Sequence, residues 1–226
     1  MFDNLKEEIN SIRARDPAVR SAWEVIFLYP SFKAVRSYRR AHWFYERGHY
    51  FIARWISQRS RNKTGIEIHP GAKIGKGLFI DHGAGVVIGE TTEIGDNCTL
   101  YQNVTLGGTG KDVGKRHPTL GNNVLVGAGA RVLGPFKIGD NSKIAANAVV
   151  LEEVPPNSTA VGVPARVVKR DGVRICENSD LDQIHIPDPV SQLLCEQRMH
   201  IEHLEKQVEQ LNTELKAIKA NEKDHR

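Results

Sequence analysis

Between Ile68 and Val150 an aliphatic residue returns every six positions. Ile68, Ile74, Ile80 and Val86 hold the period. After a two-residue shift it resumes at Ile88, Ile94, Leu100 and Leu106. After a longer break it runs through Leu120, Val126, Val132, Ile138, Ile144 and Val150. Glycine follows the aliphatic residue at 75, 89, 95, 121, 127 and 139. The side chain four places on is small at Ala72, Ala84, Thr92, Cys98, Ala130, Ser142 and Ala148. A period of six fits neither a helix nor a two-faced strand. It fits a parallel β-helix in which each hexapeptide is one flat face. Three faces then make a coil of about 18 residues that rises by about the 4.8 Å strand spacing. The aliphatic residue points into the prism, the small one lies near a corner, and Gly or Asn makes the turn. Within the β-helix domain expected over 63–170, residues 66–168 make roughly five such coils once one excursion is removed. Hexapeptide prisms coil left-handed, against the usual handedness of crossovers. The expected fold is mainly β with α: a left-handed parallel β-helix preceded by a short α-helical domain (1–62) and followed by a C-terminal coiled-coil helix.

The N-terminal piece shows helical spacing, with apolar residues at Trp23, Ile26, Phe27, Val35, Tyr38, Phe44, Phe51 and Trp55. Asp16 suits an N-cap and Pro17 a first helical turn, while Pro30 separates two helices. Residues 1–62 carry six more positive than negative charges. A basic, aromatic helical piece can meet RNA, but its first reading is a packing subdomain with a solvated basic face. The whole-chain charge of +4 is too small to imply nucleic acid. Residues 171–192, with Pro187 and Pro189, read as a linker. From 193 to 226, Leu194, Ile201, Leu204, Val208, Leu211, Leu215 and Ile218 fall at three- and four-residue steps with Gln197 on the seam. That is about three heptads of coiled coil, matching a prism that trimerises. The alternative is a lone amphipathic helix packed on its own chain.

No apolar run approaches the ~20 residues of a membrane span, and the N-terminal stretch is no secretory signal. The scattered Cys98, Cys176 and Cys195 read as reduced thiols in a cytoplasm. Cys98, at an inward small position, belongs to the core and not to chemistry.

Gly107–Pro118, GGTGKDVGKRHP, interrupts the repeat and has the marks of a working loop. Its GGTGK is no phosphate loop, because Thr105 and Asp112 stand where that motif needs Gly and Ser or Thr. His82, in FIDHGAG, follows the inward Ile80, and Glu67 precedes it by about one coil. A carboxylate beside a histidine near a corner is the arrangement of a general base held in one tautomer. His117 and Arg116 on the loop could approach the same cleft, with Arg suited to bidentate capture of a carboxylate. His69, His82 and His117 on neighbouring coils also allow a zinc site. His69 alone reads as a strand cap.

The run GIEIHPGAKIGKGLFIDHGAGVVIGETTEIGDNCTLYQNVTLGGTGKDVGKRHP, followed by VGAGARVLG and VGVPARVV, resembles the serine acetyltransferases, a family of hexapeptide-repeat acyltransferases. The resemblance covers residues 15 to 169. Its hexapeptides and GVPAR mark only the superfamily. DHGAG, GET, LGGTGK and KRHP in that order are specific, and RDPAV upstream matches the segment that completes the serine site. It implies transfer of acetyl from acetyl-CoA to L-serine, with no metal. His82 would take the serine hydroxyl proton, Glu67 would orient it, and His117 would also belong to the catalytic set. Asp16, Asp81, Arg116 and His117 would bind the amino acid. Gly108, Thr109 and Ala128 would line an acetyl-CoA groove between neighbouring subunits. Feedback inhibition by cysteine is implied as well.

The chain departs from the family in three places. Well-known bacterial members have Asp at the position of Glu67. The helical part is shorter than the long form that joins two trimers, so either a homotrimer or a dimer of trimers is expected. The long form ends in an isoleucine that inserts into O-acetylserine sulfhydrylase, whereas this sequence ends Lys223–Arg226, and that complex is not expected. Two other functions fit the residues: acetyl transfer to another hydroxyl such as a sugar, and a non-catalytic scaffold.

Overall fold

The computed structural model describes residues 2–110 and 113–174 and, from the tail, Gln197, His200, Ile201, Leu204, Glu205 and 207–211. The chain falls into two units, Met1–Arg174 and Ile175–Arg226. The second unit's described residues are all helical, and Ile201, Leu204, Val208 and Leu211 are exposed in the single chain. The rest of the expected coiled coil and residues 175–192 of the expected linker lie outside the described residues.

The first unit opens with four helices, α1 (Phe2–Arg15), α2 (Ala22–Leu28), α3 (Pro30–Tyr45) and α4 (Tyr50–Thr64). Pro30 stands at the first position of α3, where its missing N–H costs nothing. Asp16 and Pro17 do not start a helix as expected. They form the turn between α1 and α2, and Ser21 caps α2 by accepting from the Glu24 N–H at 3.2 Å.

The prism follows. Its first coil is β1 (Glu67–Ile68), β2 (Lys73–Ile74) and β3 (Phe79–Ile80), and its second is β4 (Val87–Ile88), β5 (Glu93–Ile94) and β6 (Thr99–Leu100). The third is β7 (Thr105–Gly107), β8 (Thr119–Leu120) and β9 (Leu125–Val126), and the fourth β10 (Arg131–Leu133), β11 (Lys137–Ile138) and β12 (Lys143–Ile144). β13 (Val149–Val150) and β14 (Ser158–Gly162) begin the last coil, and an antiparallel extension of β15 (Ala165–Arg170) and β16 (Val173–Arg174) closes it. Every third strand stacks in parallel, which gives a first face β1-β4-β7-β10-β13, a second β2-β5-β8-β11 and a third that starts β3-β6-β9-β12. The six-residue aliphatic positions all point inward, from Ile68 through Val150, at 8% exposure or less. Each such burial is worth about 1.5–3 kcal/mol. Ala72, Thr92, Cys98, Ala130, Ser142 and Ala148 are fully buried as expected.

The coils are not uniform. Glu67 pairs with Val87, 20 residues on, and Thr99 with Leu125, 26 on, whereas Leu125 pairs with Lys143, 18 on. Two residues are therefore inserted in the first coil and eight in the loop-bearing one. The first insertion is His82–Gly83, since Asp81 N bonds to Leu100 O and Asn103 N to Ala84 O. It displaces the small position, so Ala84 is exposed and Gly83 is buried in its place.

Parallel coils leave a row of unpaired carbonyls at the open end, and the helices cover it. Ser57 Oγ donates to Ile68 O at 2.7 Å, and Tyr38 OH to Ala72 O at 2.6 Å. Arg39 donates to Ile74 O and Gly75 O, and Arg15 to Gly77 O at 3.1 Å. Two of the N-terminal arginines are thus caps on the prism. Trp23, Phe27, Phe51 and Trp55, expected on a packed stripe, are exposed in the single chain, because the prism covers only the face bearing Val35, Tyr38 and Ala41.

Candidate active site

The expected site residues divide between two of the prism's three long edges. At the edge joining the third face to the first lie Asp81, His82 and, two coils higher, Ala128. His82 occupies the left-handed backbone region at φ +56°. Among the described residues the other non-glycine positions with positive φ are six asparagines and Asp171. Asn123, Asn141, Asn157 and Asp171 form a ladder of side-chain hydrogen bonds at 3.0–3.1 Å along the edge joining the second face to the third. His82 instead stands in an inserted turn with its side chain 76% exposed, free of any packing duty. A side chain other than Asn or Gly held in this region costs of order 1–3 kcal/mol and marks a working position.

The nearest carboxylate to the His82 imidazole is that of its neighbour Asp81, 4.0 Å from Nε2. Glu67, at the start of β1, pairs instead with Arg61 Nε at 3.2 Å. Among the described residues no hydrogen bond or ion pair joins Glu67 to His82. Asp16 reaches this edge through Tyr29. The Tyr29 hydroxyl donates to Asp16 at 2.5 Å, and burial, that bond and the charge of nearby Asp81 push the phenol up to about 12. Asp16 also accepts from the Ala18 N–H at 2.8 Å, which fixes the turn.

The edge joining the first face to the second carries the loop with Gly108, Thr109, Arg116 and His117. Its return leg is clamped by the corner one coil below, Gly89–Glu90–Thr91. Glu90 pairs with the Arg116 guanidinium and accepts from the Tyr45 hydroxyl at 3.0 Å. Burial works to raise the Glu90 pKa, but those two bonds together with the charges of His69 and Arg116 hold the carboxyl below its ordinary value. Lys115 Nζ donates to Thr91 O at 2.6 Å. Thr91 Oγ1 accepts from the backbone N–H of Arg116 at 3.0 Å and of His117 at 3.1 Å. Thr109 Cγ2 lies 3.7 Å from where a Cβ on Gly134 would stand, and a Cβ on Gly108 would come within 2.9 Å of Arg116 O.

His117 is 9% exposed, and burial, then the charge of Arg116, lowers its pKa. His69 is lowered too, by burial and by Arg54. The His69 Nδ1 accepts from Gly71 N–H at 3.0 Å, the local cap expected of it. Among the described residues no group of three side chains is placed to hold a metal ion, and no helix is long and apolar enough to cross a membrane. The Cys98 thiol is buried, 3.1 Å from Gly121 O, and burial pushes it up to about 11.

His82 and His117, expected in one cleft, thus sit on different edges of the same chain, because the four faces between their corners are not a whole number of three-faced coils. Tyr29 and Tyr45 were not singled out by sequence reasoning, and Gly89, Glu90 and Thr91 entered it only as the GET motif of the resemblance, with no role attached. The register could have found the role of these three, since Glu93 pairs with Thr119 and so sets the Glu90–Thr91 corner against Arg116–His117.

The family described as bacterial transferase hexapeptide (six repeats) matches residues 117–152. The chain is 54% identical over 209 residues to a serine acetyltransferase of Staphylococcus aureus, covering 92% of this chain and 94% of that one. Among solved structures it is similar to the serine acetyltransferase of Brucella abortus in complex with coenzyme A, with a TM-score of 0.73, 43% identity and coverage of 75% and 68%. It is also similar to that of Neisseria gonorrhoeae in complex with serine, with a TM-score of 0.71, 39% identity and coverage of 74% and 69%. Parallel three-faced stacking together with these likenesses fits a left-handed β-helix.

Proposed function

The chain belongs to the serine acetyltransferase family, and on that footing we propose that it moves the acetyl group of acetyl-CoA onto the L-serine hydroxyl, giving O-acetyl-L-serine and CoA for cysteine synthesis. In this reading His82 takes the hydroxyl proton as the oxygen attacks the thioester carbonyl. The C–S bond then breaks, and the imidazolium returns the proton to the leaving CoA sulfur. Arg116 and His117 receive the carboxylate, and Asp16 and Asp81 the amino group. Glu67, close to the same edge, is the orienting carboxylate. Gly108, Thr109 and Ala128 line the groove for acetyl-CoA.

The observation that carries the reading is His82 itself, an exposed imidazole on an insertion that the prism does not need. The division of the residues between two edges supports a further step. One copy supplies His82, Asp81 and Ala128, and the second copy supplies Arg116, His117, Gly108 and Thr109, so the active form is a trimer or a dimer of trimers. Cysteine, sharing the amino and carboxylate groups of serine, competes for the same site. The location expected for such an enzyme is the cytoplasm.

The test is release of free thiol from acetyl-CoA with L-serine and, separately, with a sugar hydroxyl as acceptor. Serine-dependent release supports the reading. Release with the sugar alone moves the substrate to the rival class, and the pairing of acidic Asp16 and Asp81 with basic Arg116 argues against that result.

A further inference from the structure

The corner Gly89–Glu90–Thr91 does more than hold the loop in place. The Nδ1 of His117 lies 3.2 Å from the Thr91 backbone nitrogen and 2.9 Å from Thr91 Oγ1. The backbone N–H can only donate, so Nδ1 is an acceptor. The hydroxyl gives the same answer independently. Oγ1 already accepts two N–H groups, from Arg116 and from His117. Its own hydrogen is then left to be donated, and Nδ1 is the acceptor within reach. With both donors on Nδ1, the ring proton resides on Nε2.

The ring's position is fixed from below as well. A Cβ built on Gly89 would stand 2.0 Å from His117 Cδ2 and 2.2 Å from Nε2, so the imidazole fills the space that a side chain at 89 would take. No other residue leaves that space.

We propose that Thr91 is a positioning residue that sets His117 as the Nε2–H tautomer, so that His117 acts as a hydrogen-bond donor beside Arg116 and not as a second base. The inference rests on the reading that His117 faces the amino acid. It adds why two histidines in one site do not exchange roles. His82 is exposed and has no hydrogen-bonding partner that fixes its tautomer among the described residues, whereas His117 has its acceptor nitrogen occupied from within the chain. A donor pair of Arg116 and His117 matches an acceptor-only group, a carboxylate, and discriminates against a neutral hydroxyl or amide in its place. Burial and the Arg116 charge lower the His117 pKa and so favour this neutral form.

The test is nitrogen-15 NMR of the histidine-labelled full-length protein without substrates, with His117 assigned by its loss in His117→Gln. The expected spectrum has a pyridine-type Nδ1 and a pyrrole-type Nε2 for His117. A protonated Nδ1 at neutral pH overturns the proposal. This measurement needs no activity, so it separates failure of the inference from failure of the assigned reaction. Thr91→Ser keeps both donors and is expected to leave the spectrum and the serine KM unchanged. Thr91→Val removes the hydroxyl donor and is expected to mix the tautomers and raise the serine KM about tenfold, with kcat moved less than threefold. A Thr91→Val protein with wild-type tautomer and KM overturns the proposal. If that variant fails to fold, Thr91→Ala, which creates no new bulk, takes its place.

Discussion

The hydroxyl of Tyr45, the last residue of α3, donates to Glu90 Oε1 at 3.0 Å, while the other oxygen of Glu90 holds Arg116. One carboxylate thereby connects the helical cap to the substrate-facing loop. Charge-assisted bonds of this kind are worth about 1.5–3 kcal/mol. Glu90→Ala is expected to release the Arg116 guanidinium and raise the serine KM by about tenfold or more, with little change in kcat. Tyr45→Phe removes one neutral donor and should raise it about threefold. Steady-state kinetics check both. An equal fall in kcat for Glu90→Ala contradicts a role confined to binding.

Division of the site between two edges makes a prediction about mixtures. His82→Asn, which lacks the base, and His117→Gln, which binds serine weakly, should recover activity at serine below the wild-type KM when co-refolded. If each site draws one edge from each of two neighbours, random assembly restores about one site in four. Activity near a quarter of wild type supports the shared site. No recovery contradicts it.

The asparagine ladder predicts stability. Asn141 sits at φ +58°, accepts from Asn123 and donates to Asn157. Asn141→Ala loses both bonds and asparagine's tolerance of the left-handed region, for a total of about 2 kcal/mol. Asn141→Gly loses the bonds but not the conformational fit and should cost roughly half as much. Chemical denaturation midpoints distinguish the two. Equal losses would mean that backbone conformation carries none of the effect.

The pH dependence follows from His69 and His117, whose pKa values are both lowered by burial. Below the ordinary histidine value near 6.5 the unfolded chain binds more protons than the folded one, so stability rises with pH in that window. Their contribution is complete above pH 6.5 and is lost as pH falls through the lowered values. The melting temperature should therefore be lower at pH 5.5 than at 7.5, and the gap should narrow in a His69→Gln, His117→Gln protein. An unchanged gap in the double variant contradicts the assignment.

Much of this was legible in the sequence, because a hexapeptide period leaves few architectures open. The inward column from Ile68 to Val150 and the buried Cys98 follow from counting alone. Both breaks in the period were visible too. The two-residue shift is the His82–Gly83 insertion, and the longer gap is the loop that carries Arg116 and His117. Lateral placement was not legible. Counting gives a residue's height on the prism, but its edge depends on how many residues each corner holds, and the 20- and 26-residue coils break the simple arithmetic. That is why counting alone did not show that His82 and His117 stand on different edges of one chain, or that the Glu67 carboxylate meets Arg61 there. The Thr91 clamp was hidden for a different reason. The GET motif marked the residue but not its role, which comes from facing the loop's return leg across the coil below.

The most direct test of the account is serine-dependent thiol release by His82→Asn. Asparagine is what the prism uses at its other left-handed corners, so this substitution removes the base and keeps the turn. The account predicts a melting temperature equal to or above that of wild type and a kcat lower by about 10²–10⁴. Wild-type turnover in a folded His82→Asn protein would contradict it.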